Sequence, residues 1–346
     1  MDKATTFITT LAINQRVYPM FAFLFGYGMV QFYNSRVRRG LADRAVRKML
    51  WRRHWAMIGL GLVHFFLLFE GDILAAYGLV GLITIALWFR RRDKTTFGWF
   101  WVFIGLHALL ASLVATAAWL VPDLEIKGSA QGASALGLTT SVANPDYLAG
   151  LVGKIPLLLG YPAQVVLSPI VPCVLLGWLA ARRGILENPG QHRRLLTTMA
   201  VVGLLLAWLC ALPGALANLN VAGVQTLATA LTLFNMLAGV AGGLGYVAVF
   251  ALLATRWQDA TPRAGRLIAA IGQRSMSSYL LQSVLFAPLL CAWGFGLGDG
   301  LGAGWAALIA LAVWGCSLLM SALLDAQGRR GPAETLLRKI TYGRAG

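Results

Sequence analysis

Apolar residues in this chain come in long runs, and short polar clusters punctuate them. The runs near 17–34, 53–69, 72–89, 97–121, 155–181, 195–217, 225–254, 273–293 and 301–325 are each long enough to form an apolar helix. Helices that are apolar on all sides over ~20 residues belong in a bilayer rather than on a water-covered core. The pattern therefore predicts an all-α polytopic membrane bundle of about nine transmembrane helices. We read 1–346 as one membrane domain: an outer tail at 1–16 with no signal-peptide core, a bundle at 17–325, and a basic tail at 326–346.

The punctuation carries the topology. Of 29 Lys and Arg, 25 fall in five blocks: Arg36–Arg53, Arg90–Lys94, Arg182–Arg194, Arg256–Arg274 and Arg329–Arg344. Alternating the helices puts all five blocks on one face, as the positive-inside rule requires. That face holds 25 basic and 6 acidic residues, and the other 4 basic and 7 acidic. The basic face is the cytoplasmic side of the membrane, against anionic lipid head groups, and the carboxyl terminus lies there. The outer loops are 70–72, 121–154, 218–224 and 294–300. The amino terminus falls outside, which a further helix ahead of residue 1, making ten, would explain.

Composition changes little in this picture. Charged residues make up 12% of the chain and apolar ones 58%. The net charge of +16 is confined to one face, which speaks for head groups and against nucleic acid. Cys173, Cys210, Cys291 and Cys316 stand singly in apolar runs, with neither metal-ligand nor disulfide spacing, and read as small buried apolar side chains. No Walker loop, dinucleotide fingerprint, zinc motif or nucleophile elbow is present. No metal and no bound cofactor are expected.

Two polar groups carry the candidate chemistry. The first is His64 with Glu70 and Asp72, around the reversal between the second and third helices. Ionisable groups at membrane depth are expensive and are functional candidates by default. A histidine suits a general base, and a carboxylate can fix its tautomer. Asp72 also reads as a helix cap, since Gly71-Asp72 parallels Gly298-Asp299 at another helix start. The second group is Arg274-Ser-Met-Ser-Ser-Tyr279-Leu-Leu-Gln282-Ser283. Tyr279 and Gln282, three apart, share a helix face. They either line a pocket for a polar substrate or a pantetheine chain, or bond to neighbouring helices. Gln164 and Ser168 lie in a stretch with three prolines, Tyr161–Pro172, where kinks are expected. His107 and Asn235 are isolated and read as bonds between helices.

Three stretches resemble the DUF418, or YeiB-like, family of bacterial membrane proteins. They are Arg16-Val-Tyr-Pro-Met-Phe-Ala-Phe-Leu-Phe-Gly-Tyr-Gly-Met, then His64 with Gly71-Asp72-Ile-Leu-Ala-Ala-Tyr-Gly-Leu-Val-Gly, and then the Arg274–Ser283 motif with the tail Gly331-Pro-Ala-Glu-Thr-Leu-Leu-Arg-Lys-Ile-Thr-Tyr-Gly343. The family's opening helix, with an Arg-Gly pair, is not in this chain, and its usual Gly-Arg appears as Gly272-Gln-Arg274. The family is distantly similar to the acyltransferase-3 and heparan-type N-acetyltransferase groups. That resemblance implies transfer of an acyl group from a cytoplasmic thioester such as acyl-CoA to a small-molecule or envelope-glycan acceptor at the outer face. His64 would be the base and Asp72 or Glu70 its partner, with Arg274, Tyr279, Gln282, Ser283, Gln164 and Asn235 around substrate and donor. A permease for a small polar solute and a non-catalytic scaffold are the alternatives.

Overall fold

A computed structural model describes residues 1–120, 143–257 and 262–343, apart from the side chain of Leu167. The described residues form helices and connections, with no strand among them. In chain order the helices are α1 (Asp2–Ile8), α2 (Val17–Val37), α3 (Asp43–Leu67), α4 (Leu74–Leu87), α5 (Asp93–Leu120), α6 (Tyr147–Leu167) and α7 (Ile170–Arg182). They continue as α8 (Arg193–Ala217), α9 (Gln225–Ala230), α10 (Thr232–Thr255), α11 (Arg263–Gln273), α12 (Ser275–Leu290), α13 (Ala303–Ala326) and α14 (Pro332–Tyr342).

Among the described residues, five helices are long and apolar enough to cross a membrane: α5, α6, α8, α10 and α13. Three apolar helices, α4, α7 and α12, are shorter. The spanning helices expose their apolar side chains: Leu113, Leu209 and Leu311 are each about 60% exposed or more. A water-soluble domain buries such residues, whereas a bilayer solvates them. The molecule is an all-α membrane bundle.

The core forms where small residues let helices close up. Gly26 of α2 lies against the backbone of Val174, and Gly177 of α7 against the backbone of Phe23. A Cβ at either position would collide with main-chain atoms, so glycine sets the α2–α7 distance. Around this contact Phe23, Val30, Val174, Leu175 and Trp178 are buried. Gly61 and Gly78 bring α3 and α4 together in the same way.

Several boundaries differ from the apolar pattern. The span expected at 155–181 is two helices, broken at Ser168–Pro169. Pro156 and Pro162 sit inside α6 without ending it. Residue 169 cannot donate an amide, and Ser168 is extended (ψ 157°), so the break falls there. The helix begins at Tyr147, capped by Asp146, whose side chain accepts from Leu148 and Ala149. Lys154, expected in a loop, is therefore inside a helix. Residues 121–142 of the expected outer loop lie outside the described residues. The run at 225–254 divides into α9 and α10. Cys173 and Cys291 are buried as expected, but Cys210 is only half-buried and Cys316 is exposed.

The first 16 residues are not a free tail. They form α1 and a wider turn of helix at Thr9–Ile13, packed against the bundle. Asp2 accepts from the amide of Gly304 at the start of α13 (2.7 Å). Arg16 is fully buried. Its guanidinium donates to Asn14 O, to Ala207 O on α8 (2.5 Å) and to Asn235 Oδ1 on α10 (3.1 Å). Gly239, Gly242 and Gly243 of α10 leave the room that residues 15–16 occupy.

Candidate functional site

The connection between α3 and α4 builds the site. The amides of Leu68 and Phe69 both donate to His64 O, which ends α3, and α4 starts only at Leu74. The segment between them bends back, and the hydroxyl of Tyr161 on α6 holds it by donating to Asp72 O (2.5 Å). Asp72 is thereby returned to the level of His64. His64 Nδ1 lies 2.8 Å from Asp72 Oδ1, and both side chains are buried. The other carboxylate oxygen, Oδ2, accepts from the amide of Ala75 (2.6 Å). The two roles that the sequence leaves open for Asp72 are both present, one on each oxygen: it satisfies a free amide at the start of α4 and it holds the imidazole.

This arrangement sets the tautomer. A carboxylate at Nδ1 takes the N–H there, which leaves the lone pair on Nε2. Nε2 is buried and has no hydrogen-bond partner among the described residues. Tyr279 of α12 covers one side: its ring centroid is 5.0 Å from that of His64, and its hydroxyl lies 3.4 Å from Asp72 Oδ1 and accepts from Ile73 N (3.3 Å).

Lys154 is a neighbour that sequence reasoning placed elsewhere. It is almost fully buried, and its ammonium donates to Phe65 O (3.0 Å) and Phe66 O (2.8 Å). These are last-turn carbonyls of α3, where a cation complements the helix dipole. Lys154 is also near enough to Glu70 for their charges to interact. Glu70 is half-buried in the bend.

The remaining predicted residues do not converge on His64. Arg274 is buried, bonded to Asp325 (3.0 Å) and to Arg329 O (2.7 Å), and ties α12 to the end of α13. Gln282 reaches Ser317 on α13 (3.3 Å), and Ser278 meets Ser321 (3.3 Å). Tyr279 and Gln282, three apart, thus bond to different neighbours: Tyr279 to the start of α4 and Gln282 to α13. Ser283 donates back to Tyr279 O (3.4 Å). Asn235 accepts from Arg16. Gln164 is exposed, and Ser168 donates to Val165 O at the helix break. His107 Nδ1 lies 2.7 Å from Phe103 O within its own helix.

His54 escaped notice on sequence. It is fully buried, with Nδ1 2.6 Å from Leu50 O, and its ring fills the slot left by Gly81. Its sequence signal was masked by the arginines at positions 52 and 53, which mark the end of a basic block. No group of three or more His, Cys, Asp or Glu among the described residues is placed to hold a metal.

Fold and site together define a multi-pass helical membrane protein with a buried histidine–aspartate pair. Residues 180–344 match the family described as a protein of unknown function, DUF418. It is similar to the uncharacterised protein YxaH of Bacillus subtilis strain 168, at 24% identity over 358 aligned residues that cover 99% of this chain and 83% of the relative. No solved structure matches it.

Proposed function

We propose that the protein is a membrane acyltransferase of the bacterial cytoplasmic membrane, with His64 as its general base. The observation that carries this reading is the buried His64–Asp72 pair, with the second imidazole nitrogen unpartnered. A base needs a lone pair at the reacting side and a group that stabilises the imidazolium on the other. In the proposed step, His64 Nε2 takes the proton of an acceptor hydroxyl or amine as that atom attacks the thioester carbonyl. The carbonyl–sulfur bond then breaks, and the thiolate leaves with the proton returned from the imidazolium. Asp72 Oδ1 holds Nδ1 of the imidazolium, and the Tyr279 hydroxyl reaches the same oxygen. The donor is acyl-CoA or a similar cytoplasmic thioester. The acceptor is a small molecule or envelope glycan at the outer face.

The test is transfer of a labelled acyl group from acyl-CoA to envelope extract by protein reconstituted in vesicles. His64→Ala is expected to slow transfer at least ~100-fold, and Asp72→Asn by a similar factor, in the range by which proton transfer contributes to catalysis. Equal rates for His64→Ala and the unaltered protein would remove the proposal. Solute flux with no covalent product would replace it with a permease.

A further inference from the structure

The short tail helix α14 crosses the basic side of the bundle as a strap. Ala333, Leu337 and Thr341, spaced four apart, face inward and are buried. At its start, Glu334 accepts from the amides of Met276 (2.9 Å) and Ser277 (3.0 Å) and from the Ser277 hydroxyl, so α14 caps the first turn of α12. At its other end, the ring of Tyr342 is covered by Arg36 (5.1 Å) of α2 and by Arg338 (4.8 Å) of α14 itself.

The outward side of the strap is different. A groove of about 870 Å³ runs between α14 and the end of α13, and Arg329, Arg330, Arg338 and Lys339 line it. No acidic residue lines it. Leu336, 44% exposed, lies in the same groove, and Ile340, 39% exposed, follows one turn later. Four cations beside an uncovered apolar stripe, at the end of a membrane-spanning helix, describe an amphiphilic anion. Acyl chains would lie along Leu336 and Ile340, and a phosphate would meet the guanidinium groups. A soluble phosphate ester has no use for the apolar stripe.

We propose that this groove is a binding site for the phosphate head group of an anionic phospholipid from the cytoplasmic leaflet. The proposal does not depend on the acyltransferase reading. Bound lipid would press α14 onto the bundle and so hold the cap that Glu334 places on α12.

Purified full-length protein would be titrated with phosphatidylglycerol and phosphatidylcholine, and the bound lipids counted by native mass spectrometry. The unaltered protein is expected to prefer phosphatidylglycerol at least ten-fold. The combined Arg330→Gln, Arg338→Gln and Lys339→Gln variant is expected to lose the preference. Arg91→Gln, Arg92→Gln and Lys94→Gln together, an equal loss of charge elsewhere on the same face, are expected to keep it. Should the first variant not fold, Arg330→Gln alone, at an exposed side chain, should weaken phosphatidylglycerol about five-fold, as one cation near a charged surface does. A preference that survives these changes overturns the proposal. Displacement of the lipid by millimolar coenzyme A also overturns it, because the groove would then serve a soluble phosphate.

Discussion

At the scale of single residues, the site rests on side chains that satisfy backbone groups. Lys154 is the clearest case, because its ammonium closes two carbonyls at the end of the helix that carries His64. Lys154→Met keeps the apolar stem and removes the donor, leaving Phe65 O and Phe66 O without it. The expected loss is about 1–3 kcal/mol of stability, the cost of buried groups left unmade. Reversible unfolding in mixed micelles measures it, and a change below about 0.5 kcal/mol would show that the carbonyls find other partners. Little of this was legible in the sequence. His64 and Asp72 stood out because ionisable residues are rare in apolar runs. Lys154 gave no such signal, since it lies near the loop-like Gly, Ser and Thr stretch. The contact between Asp72 and Tyr279 joins residues 207 apart, and no local pattern encodes it.

At the scale of helices, length and existence were legible and breaks were not. Long apolar runs specify helices because the bilayer forbids unpaired backbone groups, so α5, α8 and α13 lie within a few residues of their expected ends. Three prolines announced an irregular span, but which of them ends the helix depends on neighbours that re-satisfy the freed carbonyls. Glycine spacing was likewise ambiguous, since only tertiary contact separates a packing glycine from an idle one. Gly177 and Gly315 make the comparison directly. A Cβ at Gly177 would strike the backbone of Phe23, whereas nothing lies within 4 Å of the one at Gly315. Gly177→Ala is expected to destabilise by about 1–3 kcal/mol through overpacking. Gly315→Ala is expected to be neutral or stabilising by up to ~1 kcal/mol, from helix propensity. Thermal aggregation in detergent ranks the two, and equal midpoints would contradict the α2–α7 contact.

At the scale of the whole molecule, the arrangement depends on which way the bundle faces. Single cysteines introduced into a cysteine-free chain report this. Arg39→Cys and Gln191→Cys, both exposed in connections on the basic face, are expected to react with an impermeant maleimide only after cells are opened. Ala222→Cys, in the connection before α9, is expected to react in intact cells. Opposite labelling of positions 39 and 191 would defeat the topology and the proposed direction of transfer with it.

The bend after α3 changes what that topology asks of a reaction. His64 lies one turn before the end of α3, and Tyr279 one turn after the start of α12, which the charge pattern assigns to opposite compartments. One turn is about 5.4 Å of rise. On that assignment the ring contact, 5.0 Å between centroids, has about one turn of helix on either side, which would leave the compartments on the order of 15 Å apart there, against ~30 Å for the surrounding hydrocarbon. In the proposed transfer, a pantetheine-length arm entering from one end would need to reach only partway, and a sugar hydroxyl entering from the other would meet it without either molecule traversing the bilayer.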